Sequence, residues 1–231
     1  MTGFAIAAIA IVALYVWWRT THYNDSPYVQ ERIKGRNADQ QAAIRYLHNE
    51  DACLCKKPIS DKEYEMLVAK ILSANDFRKK ALNKIGLDED QVKEIEPVHF
   101  ENYLFDKDAE TVTKRGADGI WRSSKYQVTW LFFSDTHVYA YQYTFCLDQD
   151  GRKERTEEYF YKDVTNFSTV SETKEVPQFD PEQQKNFLVN VDTTEFVITV
   201  PGDKFYCSMV QNGYTEASVQ GMKAKLREKK N

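Results

Sequence analysis

YQVTWLFFSDTHVYAYQYTF, residues 126–145, carries eight aromatic side chains in twenty positions. Its first half alternates with a period of two. Tyr126, Val128, Trp130 and Phe132 share one face, and Gln127, Thr129, Leu131 and Phe133 share the other. SDTH (134–137) is turn chemistry. The return run then sets Tyr139, Tyr141, Tyr143 and Phe145 against Val138, Ala140, Gln142, Thr144 and Cys146. Strict alternation on both sides of a short polar break predicts an antiparallel hairpin. Tyr126, Val128, Trp130 and Phe132 are the candidates for its buried side. Aromatic residues on both faces imply a second covered surface, and the helices predicted over residues 38–97 are there to cover it.

Downstream, Asp150-Gly151 marks a second hairpin turn. RTEEYFYKDV and TNFSTVSET follow as short strands, and the proline-containing KEVPQFDPEQQ is expected to be a loop. NFLVNV and EFVITV, joined by DTT, are two further strands, and PGDK turns the chain into FYCSMV. In YTEASVQGMKAKLREKKN, Val219, Met222 and Leu226 lie at helical spacing. Upstream of the hairpin, NYLFDKDAETVTKRGADGIWRSS is a transition with a turn at ADG. The count is about seven strands and one C-terminal amphipathic helix.

This order of elements resembles a pleckstrin-homology-like domain in its bacterial membrane-anchored versions. The resemblance spans roughly residues 120–230. It is carried by TEEYFYKDVTNFST, a strand crossing a polar break into the next, and by EFVITVPGDKFYCSMV leading into the final helix. It implies an α+β chain with a seven-stranded antiparallel barrel or sandwich over 99–231, capped by the C-terminal helix. In phosphoinositide-binding members of that family, basic residues cluster at the first hairpin loop. Here SDTH has no Lys or Arg; Arg122 and Lys125 precede it, and Arg152, Lys153 and Arg155 follow at the next hairpin. Those five are the candidate contacts for an anionic headgroup.

Residues 38–98 have helical periodicity. ADQQAAIRYLHNE places Ala42, Ala43, Tyr46 and Leu47 on one side. SDKEYEMLVAKILS opens with Ser60 and Glu63 at capping-box spacing, and Tyr64, Leu67, Val68, Ile71 and Leu72 form a one-sided stripe. NDFRKKALNKIG repeats the pattern and closes on Gly86, while LDEDQVKEIEP is expected to be a fourth helix from an Asp88 cap to Pro97.

The N-terminal GFAIAAIAIVALYVWW, residues 3–18, contains no charge. Residues 1–19 are therefore expected to anchor the chain in the lipid bilayer, with Tyr15, Trp17, Trp18 and Arg19 at the interface. A cleaved signal peptide fits less well, because no Lys or Arg precedes the run and it ends in bulky tryptophans. Residues 20–37 read as a juxtamembrane linker. Arg19, Arg32, Lys34 and Arg36 follow the run, which places the N-terminus outside the cell membrane and the C-terminal domain in the cytoplasm.

The net charge of −4 gives no basis for nucleic-acid binding. No nucleophile elbow, phosphate loop or dinucleotide fingerprint occurs in the sequence, so no catalytic residue, cofactor or small-molecule substrate is assigned. Cys53 and Cys55, with His48 five residues upstream, supply two or three zinc ligands of the four required; the simpler reading is a pair of reduced thiols, and no metal is assigned. The expected function is non-catalytic: an adaptor that binds another protein. The alternative is a peripheral sensor of anionic lipid that uses basic residues of the β-domain.

Overall fold

A computed structural model describes residues 11–15, 17, 25–48, 59–92, 95–108 and 110–230. Behind the helical residues 11–15 and 17, four helices precede the sheets among the described residues: α1 Pro27–Ile33, α2 Ala38–His48, α3 Asp61–Ser73 and α4 Phe77–Ile85. Their ends follow from local chemistry. The Ser26 hydroxyl accepts the Val29 amide at the start of α1, ahead of a proline in its first turn. Ser60 and Glu63 close the expected capping box of α3. Gly86 ends α4 at φ 81°, in the left-handed region where a Cβ is unwelcome. The helix expected from Asp88 to Pro97 is instead one 3-10 turn, Glu89–Val92. Among its described residues, Val92 and the partly buried Ile95 reach the core, too short a stripe to hold a longer helix.

Among the described residues nine strands follow: β1 Val98–Tyr103, β2 Thr113–Arg115, β3 Trp121–Ser123, β4 Lys125–Phe133, β5 His137–Cys146, β6 Arg152–Phe160, β7 Asn166–Asp180, β8 Lys185–Val200 and β9 Asp203–Ser208. The last helix is α5, Gly213–Lys230. One sheet runs β1-β4-β5-β6 and the other β3-β2-β7-β8-β9. All pairings are antiparallel except the touch of β2 on β7 at Thr113 and Gln178. β6 forms an outer edge, and six of its nine residues are charged, which protects that edge from further pairing.

The expected seven-stranded barrel is not formed; the two sheets stay open. The reason lies in β4 and β5, which pair Tyr126 with Phe145, Trp130 with Tyr141 and Phe132 with Tyr139. That aromatic face packs on Tyr46, Leu47, Tyr64, Val68, Phe77 and Leu82 of the helices. The reverse face, with Leu131, Phe133, Val138 and Ala140, packs on Phe167, Phe196, Ile198 and Phe205 of the second sheet and on Val219, Met222 and Leu226 of α5. A sheet that is apolar on both sides occupies the middle of a three-layer stack, whereas a barrel strand turns one face to solvent. The helices do cover an aromatic face of the hairpin, and the face they cover is that of Tyr126, Val128, Trp130 and Phe132.

Two further differences concern strand length. KEVPQFD belongs to β7, and DTT continues β8, so one long hairpin stands where shorter strands and a loop were expected. Pro177 is accommodated because its flank meets only the short β2, and its carbonyl accepts the Thr113 hydroxyl at 2.7 Å.

The membrane span is also corrected. Among the described residues no helix is long and apolar enough to cross a bilayer, which takes about 20 residues. Residues 11–15 and 17 are helical and exposed, including Tyr15 and Trp17; residues 3–10, 16, 18 and 19 lie outside the described residues. The single-pass anchoring, its topology and the cell-membrane placement drawn from it lose their support.

Candidate functional site

The five cations nominated from the sequence have different fates. Arg122, on β3, is fully buried. Asp118 takes its guanidinium with both oxygens, at 2.7 and 3.0 Å, Glu65 joins from α3, and Asp61 stands at 3.8 Å. Hydrogen bonding to Asp118 holds Arg122 firmly protonated, and the same contact depresses the Asp118 carboxyl to about 2. The Tyr46 hydroxyl donates to Asp61 at 2.8 Å, and its ring stacks on Tyr64 with centroids 4.1 Å apart. The backbone is shaped around this clasp. A Cβ at Gly116 would meet the Arg122 guanidinium and come within 2.7 Å of Asp118 and Asp61.

Lys125 is buried too, with its ammonium 2.8 Å from Asp108 and 3.6 Å from Asp106. Arg155 binds Glu157 at 2.6 Å and lies 5.0 Å over the ring of Phe205. Arg152 and Lys153 alone project freely, from the outer strand β6. Three of the five charges are therefore committed to carboxylates inside the molecule, and the set does not converge on a headgroup.

His48 takes part in packing. Its Nδ1–H donates to the Ile44 carbonyl at 3.0 Å, and the ring sits against Phe179 and Tyr28 at centroid distances of 4.8 and 5.6 Å. Burial lowers its pKa to about 4, so the ring is neutral near pH 7. Its Nε2 has no hydrogen-bond partner among the described residues. Cys53 and Cys55 lie outside the described residues; among those described, no cluster fit to hold a metal ion occurs. Cys146 and Cys207 are free thiols, and burial pushes both thiol pKa values up, which removes nucleophilic character.

A largely apolar concavity lies between α2 and α3. It measures about 740 Å³ and is lined by Ala42, Ile59, Met66, Leu67 and Ala69. Met66 is 60% exposed there. The helix that forms it is used twice. Tyr64 and Val68 are buried in the core, while Met66 and Ala69 project outward and leave a second apolar aspect in solvent. The rim is polar and largely self-satisfied: Lys70 pairs with Asp39 at 2.5 Å, and Glu63 is held in the capping box. The sequence does hold a signal for this surface, because Met66 falls off the stripe of Tyr64, Leu67, Val68, Ile71 and Leu72. Its significance depends on Ile59 and Ala42 arriving beside it from outside the helix.

No protein-family model matches the chain, and no similar protein is found among curated sequences or solved structures.

Proposed function

We propose that this chain is a non-catalytic protein-interaction module whose docking surface is the apolar groove between α2 and α3. The observation that carries this reading is the outward apolar aspect of α3, with Met66 at its centre. A long, flexible thioether adapts to the shape of an incoming apolar side chain, and small residues such as Ala42 and Ala69 let a partner helix approach closely. Mixed charges at the rim, Asp39, Glu63 and Lys70, suit a partner that is apolar on one face and polar on the other. The strongly perturbed groups point the same way. Arg122, His48 and Cys207 are closed into packing, and none of them lines this groove.

Replacing Met66 with a photo-crosslinking residue in the full chain tests the proposal in the native host. The expected result is one discrete protein adduct, abolished by Ala69→Glu while the thermal midpoint stays unchanged. Absence of a protein adduct, or an adduct indifferent to Ala69→Glu, overturns it.

A further inference from the structure

A second groove runs between the start of β7 and the last turns of α5. It encloses about 280 Å³ and is lined by Thr165, Asn166, Phe167, Lys223, Leu226, Arg227 and Lys230. Three of these seven residues are cations and none is a carboxylate. Other cations of α5 are paired: Lys225 with Glu228 at 3.0 Å and Lys229 with Asp135 at 3.9 Å. Lys223, Arg227 and Lys230 have no carboxylate partner among the described residues. We propose that this groove takes an extended acidic segment of a partner protein, with carboxylates set against Lys223, Arg227 and Lys230.

Three features support that occupant. The first is charge. Like charges at i, i+4 weaken a helix, so the row is not explained by helix stability. Favourable contact with the helix dipole reaches Arg227 and Lys230 in the last turn but not Lys223 before it. The second is spacing. Lys223 and Arg227 are about 6 Å apart along the axis, and the whole row spans about 10.5 Å. An extended chain presents every second side chain on one face, about 6.8 Å apart, which matches a line of cations better than one point anion does. The third is shape. The charges border a concave trough with Phe167 and Leu226 buried in its floor and with Asn166 and Thr165 exposed at its side. An extended chain can lie in such a concave trough and hydrogen-bond to Asn166 and Thr165, whereas a planar bilayer surface cannot follow it. This surface is independent of the apolar groove, and either can stand if the other falls.

Fluorescence anisotropy of the full chain with a labelled peptide of alternating Glu and Val tests the proposal. Saturable, salt-sensitive binding is expected, weakened about tenfold or more by Arg227→Glu with Lys230→Glu. The milder Arg227→Gln with Lys230→Gln, checked for an unchanged melting curve, is expected to weaken it to a smaller extent. A peptide of alternating Lys and Val should not bind, and Arg152→Glu with Lys153→Glu should leave binding intact. Equal binding by the charge-reversed variant overturns the proposal. So does charge-dependent capture by phosphatidylserine vesicles without peptide binding, and so does failure to bind the acidic peptide at all.

Discussion

Arg122 and Arg227 carry the same guanidinium and meet opposite surroundings. Arg122 is sealed between β3 and α3 with three carboxylates around it, so almost all of its charge is spent inside the molecule. Arg227 stands in solvent beside Lys223 and Lys230 with no carboxylate among the lining residues. His48 completes the series: buried like Arg122 but with no carboxylate partner among the described residues, it gives up its charge. Burial and partners, more than residue type, decide whether a basic group clasps the fold, becomes neutral packing or remains available to a ligand.

The sharpest way to break this comparison is Arg122→Met. The variant leaves Asp61, Glu65 and Asp118 facing one another without a cation, and about 4 kcal/mol of stability should be lost in urea unfolding. A cost below about 1 kcal/mol would mean that the clasp is ornamental.

His48 should produce the next largest effect, through pH. Its folded-state pKa lies below its ordinary value, so the unfolded chain takes up a proton first as pH falls. Stability from this group is therefore full above about pH 6.5 and declines from there towards pH 4. The gap corresponds to about 3 kcal/mol. Urea midpoints across that window should flatten in His48→Phe, which keeps a ring against Tyr28 and Phe179. A slope that persists in the variant would assign the acid sensitivity to another group.

Arg227→Glu should do least to the fold. Its stability is expected within about 0.5 kcal/mol of the parent, since no partner is lost. A larger loss in the melting curve would place Arg227 with Arg122 as a clasp.

Much of the local structure was legible from the chain. The Ser60 and Glu63 box, the Gly86 cap, the SDTH turn and the alternation of residues 126–145 depend on neighbours a few positions apart, and each is formed. The length of β7 was not legible, because Pro177 and the turn residues around it read as loop until a flank that meets only the short β2 accommodates the proline. The helix after Asp88 is shorter than its capping chemistry suggests, because few of its described residues reach the core. The site was less legible than the fold. Arg122 and Lys125 look in sequence like Arg152 and Lys153, and only Glu65, Asp106, Asp108 and Asp118 distinguish them. Met66 was visible as a residue off the buried stripe, but not as the centre of a groove.

The sequence by itself determined the turn at SDTH, the capped helices between Ser60 and Gly86, the C-terminal helix, and that both faces of the 126–145 hairpin must be covered. Those outcomes rest on backbone preference and hydrophobic period, which act over a few residues. Only the tertiary structure decided that the sheets stay open, that the helices take the Tyr126 face, and which cations are spent. The physical reason is distance along the chain. Glu65 neutralises Arg122 from fifty-seven residues away, and β7 and α5 assemble a basic trough from segments that share no local pattern.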